Sequence, residues 1–269
     1  MEFPTVKSKT VIVTGGASGI GSEICRAFLG EGSRVAVIDI KISPEVMEEY
    51  VEASSANSAL FFCGDITNEQ FIKDTTKQIF ERWGSADILV NNAGIMYKSP
   101  VEEIDLVQWR RAIEVNLTAP IICAKNVVPY MKKNKWGRII NMCSIFSYIG
   151  GETYSAYAAA KGGLLQLTKV WSNELAADGI TVNAICPGWV DTPMLEGFIQ
   201  RIAQVHNESR EEAVNRIFAL VPQKHFINPQ EISSLALFLA SDCAQSINGA
   251  GMVIDTGLTA SMPRGLHRI

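Results

Sequence analysis

Short apolar runs alternate with amphipathic segments along the chain. Seven runs rich in Val and Ile are apolar on both faces, as the strands of a parallel sheet covered by two helical layers must be. They span residues 10–15, 34–40, 59–66, 86–94, 137–144, 180–188 and 252–257. Between them, segments 21–32, 68–84 and 158–179 carry apolar residues at helical spacing. This alternation predicts an α/β fold: a Rossmann-type, doubly wound, parallel seven-stranded sheet with helices on both faces.

The chain of 269 residues contains no linker, internal repeat or low-complexity tract. We therefore predict a single domain over 1–269. The interval between the last two predicted strands, from 188 to 252, is unusually long for such a fold. It includes the amphipathic stretch 196–221, which predicts two helices. We expect these helices to form a lid over a substrate site at about 189–228.

The composition excludes several classes of partner. The net charge is -4, and no long basic run exists, so neither nucleic acid nor an anionic membrane is expected to bind. The polar start of the chain and the scattered cysteines, which lack a C-x-x-C pair, indicate a cytoplasmic protein whose thiols are reduced and lie in the core. The three histidines are far apart in sequence, and we expect no metal site.

A glycine-rich turn, TGGASGIG at 14–21, joins the first predicted strand to the first predicted helix. Glycines at this place permit a tight turn and let a phosphate approach the backbone at the helix N-terminus. The position of the motif between strand and helix predicts a dinucleotide site. The turn residues expected to bind the cofactor are Gly15, Ser18, Gly19, Ile20 and Gly21.

Asp39 ends the second predicted strand, 18 positions after Gly21. A carboxylate there can accept hydrogen bonds from the hydroxyls of an adenosine ribose, and it repels a 2′-phosphate. No arginine follows it, because the next residues are Ile40 and Lys41. The sequence therefore predicts NAD as the cofactor, in preference to NADP.

Over nearly its whole length the chain resembles the short-chain dehydrogenase/reductase family. The resemblance is carried by TGGASGIG, Asp65, NNAG at 91–94, Asn116, Ser144, YAAAK at 157–161 and PGWVDT at 187–192. Two departures are small: Thr256 stands where a glycine is common, and Cys143 precedes the serine. The resemblance implies an oxidoreductase that is a homotetramer, with contacts through the late helices and the last strand.

Tyr157 and Lys161 are four residues apart, so one helical turn places both side chains on the same face. A free tyrosine, with a pKa near 10, is a poor base. We expect the ammonium of Lys161 to stabilise the phenolate, with the positive charge of NAD⁺ added to it. Lowering the pKa of Tyr157 by about 3 units requires roughly 4 kcal/mol, much of which a close Lys161 would supply. Tyr157 would then be the general base for an alcohol, and Ser144 would hold the substrate oxygen. By the resemblance, Asn116 anchors a water that relays protons to Lys161.

The resemblance also assigns the remaining cofactor contacts. Asp65 and Ile66 would contact the adenine, and Lys161 would hold the nicotinamide ribose beside Tyr157. Val190 and Thr192 would hold the carboxamide. The other residues implied to lie along the cofactor are Asn92, Ala93, Gly94, Pro187 and Gly188.

Within the family, the chain is most similar to the 3-hydroxybutyrate dehydrogenase branch. That branch binds a carboxylate through a glutamine, a histidine, a lysine and a second glutamine, where this sequence has Met96, Phe146, Tyr154 and Phe198. A carboxylate left without partners there would cost several kcal/mol. Together with Trp189, these side chains predict an apolar pocket next to Ser144 and Tyr157, and hence a hydrophobic, aromatic or cyclic secondary alcohol or its ketone.

Three alternatives stay open at this stage. One is a 3-hydroxybutyrate- or polyol-type dehydrogenase, and another is an NADPH-type ketoreductase of carrier-bound substrates, against whose cofactor Asp39 argues. The third is a redox sensor that binds NAD(H) without catalysis. Such a sensor has no need for a complete set of catalytic-type residues, whereas this chain retains Asn116, Ser144, Tyr157 and Lys161.

Overall fold

The computed structural model describes residues 4–52 and 57–260. Its seven strands form one sheet in which every neighbouring pair is parallel, in the order β3-β2-β1-β4-β5-β6-β7. This confirms the predicted fold class. The strands are β1 (Thr10–Thr14), β2 (Arg34–Asp39), β3 (Ala59–Cys63), β4 (Ile88–Asn91), β5 (Gly137–Met142), β6 (Ile180–Pro187) and β7 (Gly251–Ile254).

Helices cover both faces of the sheet. Within the described ranges they are α1 (Gly19–Gly30), α2 (Pro44–Glu52), α3 (Glu69–Trp83), α4 (Leu106–Ile113), α5 (Ala119–Asn134), α6 (Ser155–Leu175), α7 (Pro193–His206), α8 (Arg210–Leu220) and α9 (Pro229–Ala240). None of the helices in this part of the chain is long and apolar enough to cross a membrane.

Alternate residues of the central strands enter two separate hydrophobic clusters. Val11 and Val13 of β1 pack in the cluster that contains buried residues of α1 and α9. Ile12, between them, packs in the cluster built with α3 and α5. All five residues of β1 are buried, which explains why its sequence is apolar on both faces.

The strands end earlier than the apolar runs predict. The run 86–94 yields only Ile88–Asn91, because the chain leaves the sheet at Asn92. There the Asn92 side-chain amide donates to the carbonyls of Thr14 and Gly15, at 3.0 Å in each case. These bonds tie the end of β4 to the end of β1, and they turn the following residues into a loop at the carboxyl edge of the sheet.

The interval between β6 and β7 contains α7 and α8, the two helices that the amphipathic stretch predicts. They pack on each other through a buried cluster that includes Leu195, Ile199 and Ile217. A backbone hydrogen bond joins the two ends of the segment that contains these helices: the Ile227 N–H donates to the Trp189 carbonyl at 2.8 Å. We refer to α7 and α8 as the helical pair; their role as a lid stays a prediction.

The six cysteines are free thiols, as expected, but they are not all in the core. Cys63 and Cys243 are exposed: Cys63 is the last residue of β3, and Cys243 lies in a short helical turn after α9. The described residues contain no group of three or more His, Cys, Asp or Glu that could hold a metal ion. His267 and the rest of the C-terminal stretch 261–269 lie outside the described residues.

A buried chain of hydrogen bonds joins β4 and β5 to α6. The Asn91 amide donates to Asn141 Oδ1 at 2.8 Å, and the Asn141 amide donates to Thr168 Oγ1 at 2.9 Å. Thr168 in turn donates to the carbonyl of Leu164 at 2.9 Å. Since α6 carries Tyr157 and Lys161, these bonds fix the height of that helix against the sheet.

Candidate active site

A cavity of about 340 Å³ lies at the carboxyl ends of the strands, where the order reverses between β1 and β4. Ligands of open α/β sheets bind at this kind of switch point. The cavity brings together most of the catalytic, cofactor-binding and substrate-binding residues that the sequence predicts. Those on its wall are Gly15, Ser18, Gly19, Ile20, Asp39, Asp65, Ile66, Asn92, Ala93, Gly94, Met96, Ser144, Phe146, Tyr157, Lys161, Pro187, Gly188, Trp189, Val190, Thr192 and Phe198.

The glycine turn has the geometry that a phosphate requires. Gly15 and Gly19 have φ values of 66° and 55°, which are strained for any residue with a Cβ. A Cβ on Gly15 would lie 2.8 Å from the Cα of Ala93. Ser18 is the N-cap of α1, yet its side chain makes no capping hydrogen bond. The first N–H groups of the helix therefore have no side-chain acceptor, and this fits an anion at the helix N-terminus.

Asp39 reaches the cavity from the end of β2. One carboxylate oxygen, Oδ2, accepts a hydrogen bond from the Ala17 N–H at 3.0 Å, so the carboxylate is fixed against the glycine turn. Its neighbour Ile40 is 66% exposed and also borders the cavity. A negative charge thus lies at the end of the site where the second strand stops, as the sequence predicts.

Tyr157 and Lys161 are both on α6 and face the cavity together. The Lys161 ammonium lies 5.6 Å from the centre of the Tyr157 ring. Lys161 is only 3% exposed, and its Nζ donates to the carbonyl of Met142 at 2.7 Å. The helical spacing therefore does bring the phenol and the ammonium side by side.

Without the charge of a cofactor, the surroundings of Tyr157 raise its pKa instead of lowering it. Burial raises the pKa of Tyr157 to about 12, the hydrogen bond with Ser144 lowers it, and the adjacent Cys143 thiol raises it. Burial likewise lowers the pKa of Lys161, so that the ammonium is itself less stable than in water. Sequence spacing shows which charges are near, but not how deeply the phenol is buried.

Ser144 follows β5 and caps a short helical turn that begins at Ile145. The Phe146 N–H donates to Ser144 Oγ at 3.2 Å, and this bond sets the orientation of the hydroxyl. The same hydroxyl lies close enough to Tyr157 to lower the pKa of the phenol. Two hydroxyl groups therefore converge on one point of the cavity wall, where an alcohol or carbonyl oxygen can bind both.

Asn116 is fully buried and does not border the cavity. It lies in a π-helical turn between α4 and α5, and its amide donates at 2.8 Å to the carbonyls of Ala112 and Ile95. A side chain on Gly94 would come within 2.7 Å of Asn116 Oδ1 and 3.5 Å of Lys161 Nζ. Asn116 thus packs behind Gly94, close to Lys161, and its proton-relay role stays a prediction.

Two more predicted residues lie behind the wall. Gly21 supports the glycine turn, because a side chain there would overlap the Gly15 carbonyl and the Asn92 amide. Tyr154 is 7% exposed, and its ring stacks on Phe146 with 4.6 Å between ring centres. Tyr154 therefore shapes the pocket through Phe146 instead of lining the main cavity.

The substrate end of the cavity has an apolar and aromatic wall. Trp189 stacks on Phe198 of α7 with 4.7 Å between ring centres and an angle of 9° between the ring planes. Phe146 and Tyr157 pack in a T-shaped arrangement with 6.1 Å between ring centres. Met96 completes this surface, as the sequence predicts.

Several wall residues carry no sequence signal that singles them out. Arg111 of α4 donates to Asp65 Oδ2 at 2.8 Å and to Thr67 Oγ1 at 3.0 Å. Burial opposes ionisation of Asp65, but its hydrogen bonds with Thr67 and Arg111 leave its pKa below the usual range. Other wall residues that no sequence motif singles out are Ile40, Gly64, Ile95, Val115, Met142, Cys143, Ile145, Pro193, Met194 and Leu195.

The family model described as short chain dehydrogenase matches residues 9–202, a span that contains the glycine turn, Ser144, Tyr157 and Lys161. The chain belongs to this family. It is therefore an oxidoreductase of the short-chain type, which interconverts alcohol and ketone substrates.

Known proteins similar to this short-chain dehydrogenase share its full length. It is 37% identical to a D-beta-hydroxybutyrate dehydrogenase of Rhizobium meliloti, over 94% of this chain and 99% of that protein. It is 33% identical to a cis-4-hydroxycyclohexanecarboxylate dehydrogenase of Sinomonas cyclohexanicum, over 94% and 97% of the two chains. A crystal structure of an actinorhodin polyketide ketoreductase variant with NADPH superimposes with a TM-score of 0.89 at 33% identity, covering 97% of this chain and 100% of that one.

The raised pKa of Tyr157 has a measurable consequence. Because the folded protein favours the neutral phenol, we expect Tyr157 to stay protonated as the pH rises through 10, and to ionise only near its pKa of about 12. The measurement is the phenolate absorbance of the cofactor-free protein minus that of Tyr157→Phe, followed with pH.

The same difference measured in concentrated guanidinium chloride is the control, and it should titrate near the ordinary tyrosine value of about 10. A midpoint near neutral pH in the folded, cofactor-free protein would show that Lys161 alone does activate the phenol.

Proposed function

We propose that this protein is an NAD-dependent dehydrogenase that interconverts a hydrophobic or cyclic secondary alcohol and its ketone. The observation that carries the proposal is the meeting of Ser144, Tyr157 and Lys161 at an aromatic end of one cavity, beside a glycine turn that fits a pyrophosphate. A protein that only senses NAD(H) has no need for two converging hydroxyls next to an apolar pocket.

Three side chains have separate roles in the proposed reaction. Ser144 Oγ and Tyr157 Oη hold the substrate oxygen, and Tyr157 accepts the hydroxyl proton during oxidation or returns it during reduction. When bound, the nicotinamide ring supplies the carbon that takes up or gives back the hydride. Lys161 places a positive charge beside the phenol, which offsets part of the cost of forming a buried phenolate.

Since burial alone raises the pKa of Tyr157, the protein needs more positive charge near the phenol than Lys161 supplies. An oxidised nicotinamide carries such a charge, and a reduced one does not. We therefore infer that Tyr157 is a better base in the complex with the oxidised cofactor and a better acid in the complex with the reduced one. Oxidation of the alcohol needs a base and starts from the oxidised cofactor, whereas reduction of the ketone needs an acid and starts from the reduced cofactor.

Asp39 supports NAD as the cofactor. Its carboxylate is held at the end of β2 by the Ala17 N–H and borders the cavity. A 2′-phosphate beside it would meet a negative charge. Arg111, an arginine on this wall, is already paired with Asp65. The superimposed ketoreductase structure contains NADPH, so fold similarity alone does not set the choice.

The pocket favours a substrate with an apolar body. Met96, Phe146, Trp189 and Phe198 stand around the reacting hydroxyls, and none of them can bind a carboxylate by charge. Of the two named relatives, one acts on a short hydroxy acid and the other on a ring compound. The aromatic wall of this protein fits the ring better, since flat side chains pack against a ring over a larger area.

We further propose that the helical pair acts as the lid of this site, because Phe198 and Leu195 of α7 border the cavity. The two ends of the pair are joined to each other by the hydrogen bond between Trp189 and Ile227, so that movement would be confined to its outer end. Assembly into a homotetramer is a further expectation from family membership.

Replacing Tyr157 with Phe removes the proton acceptor and leaves the ring that packs near Phe146. We expect turnover of cyclohexanol with NAD to fall at least about a hundredfold, as for loss of a general acid or base. The measurement is the appearance of reduced-cofactor absorbance, with circular dichroism to verify the fold. Tyr97→Phe, a change outside the cavity wall, is the matched control. Near-normal turnover in Tyr157→Phe would overturn the mechanism.

The unmodified protein should have a KM for NAD at least about tenfold below that for NADP, because Asp39 repels the 2′-phosphate. Asp39→Ser removes the charge, so the KM for NAD should rise and the KM for NADP should fall. Steady-state kinetics with both cofactors measures these values, and Asp74→Ser on the exposed side of α3 is the control. Equal KM values in the unmodified protein would refute the assignment.

A further inference from the structure

A lysine lies inside an aromatic stack beside the substrate cavity. The Lys98 ammonium is 3.9 Å from the centre of the Phe198 ring and 4.4 Å from the centre of the Tyr154 ring. Phe198 stacks in turn on Trp189, and Tyr154 stacks on Phe146. The cation therefore occupies the middle of five layers that join the loop after β5 to the helical pair.

This stack separates two cavities. A smaller pocket of about 200 Å³ is lined by Lys98 and by Arg201 and His206 of α7. Phe198 borders both this pocket and the main cavity that contains Ser144 and Tyr157. One aromatic ring thus stands between the reacting hydroxyls and a group of basic side chains.

The charges of the smaller pocket are not balanced. Burial, together with the charge of Arg201, lowers the pKa of Lys98 to about 8. Among the ion pairs formed by the described residues, none involves Lys98 or Arg201. Two neighbouring cations without a carboxylate partner repel each other, and an anion placed between them would relieve that repulsion.

The hydroxyl of Tyr154 also lacks a partner that an anion could supply. Tyr154 is 7% exposed, and its Oη is a buried polar atom that has no hydrogen-bond partner in this structure. The charge of Arg201 acts on this hydroxyl and lowers its pKa, although burial raises it to about 12 overall. A buried hydroxyl without an acceptor costs free energy, whereas a carboxylate oxygen nearby would accept a hydrogen bond from it.

We propose that Lys98, Arg201 and the Tyr154 hydroxyl form an anion subsite that binds a carboxylate on the far side of the substrate from its reacting hydroxyl. The proposal rests on the function proposed above and narrows its substrate class. The substrate is then a hydroxy acid whose apolar body lies against Phe198 and separates the two polar ends.

A short hydroxy acid does not meet these conditions. In 3-hydroxybutyrate only one carbon separates the carboxylate from the carbon that bears the hydroxyl. Its carboxylate would lie among Met96, Phe146 and Trp189, on the inner side of Phe198, without a cation. The subsite therefore selects for distance between the hydroxyl and the charge as well as for charge.

Kinetics with matched substrates tests the subsite. We expect kcat/KM for 4-hydroxycyclohexanecarboxylate with NAD to exceed that for the corresponding carboxamide at least about thirtyfold. Arg201→Met and Lys98→Met should each reduce this ratio at least about tenfold, mainly through KM. Arg201 is exposed, so its variant keeps the test valid if Lys98→Met disturbs folding. Lys73→Met, on the exposed surface of α3, is the control for the loss of one positive charge.

A binding measurement separates the subsite from the reaction. Cyclohexanecarboxylate and cyclohexanecarboxamide serve as unreactive probes, and the signal is the tryptophan fluorescence of the protein minus that of Trp189→Phe. The subsite predicts that the acid binds at least about tenfold more tightly than the amide, and that Arg201→Met removes the difference.

The two proposals fail in different ways. If the protein oxidises cyclohexanol but binds and turns over acid and amide alike, the anion subsite is wrong and the proposed function stands. If the acid binds preferentially but no secondary alcohol is oxidised, the subsite stands and the proposed reaction is wrong. Preference for 3-hydroxybutyrate over the ring acid would overturn the subsite as well.

Discussion

The buried ammonium of Lys161 is the constraint around which the site is arranged. A cation that is 3% exposed is costly unless polar groups surround it, and here the Met142 carbonyl accepts a hydrogen bond from the ammonium at 2.7 Å. Gly94 lacks the side chain that would otherwise press toward the ammonium and Asn116. The hydrogen bonds from Asn141 to Thr168 fix α6 against the sheet, and this holds the cation in place.

The loop after β5 couples catalysis to substrate choice. Its Phe146 donates through the backbone to the Ser144 hydroxyl, and its ring meets Tyr157 on one side and Tyr154 on the other. The residue that forms the apolar wall therefore also positions the serine. A substitution that changes the shape of the pocket at Phe146 would be expected to change the reaction rate as well as the KM.

Much of the fold and the site could be predicted because it depends on spacing along the chain: the apolar runs, the glycine turn, Asp39 and the pair on α6. What was missed depends on contacts between distant elements. Arg111 reaches Asp65 from another helix, and Lys98 meets Phe198 only once the helical pair has folded back. The rise in the Tyr157 pKa comes from depth of burial, which spacing does not reveal. One departure has a local meaning: Thr256 has a φ of 56°, where a glycine would be unstrained.

We propose that a hydride passes, in this cavity, from the hydroxyl-bearing carbon of an apolar secondary alcohol to a nicotinamide. The most direct test is oxidation of cyclohexanol that carries deuterium on the hydroxyl-bearing carbon, with NAD as acceptor, followed by mass spectrometry of the reduced cofactor. We predict that each reduced cofactor contains one deuterium and that the rate is lower than with unlabelled alcohol. Reduced cofactor without deuterium, or no reduction with any apolar secondary alcohol, would contradict the account.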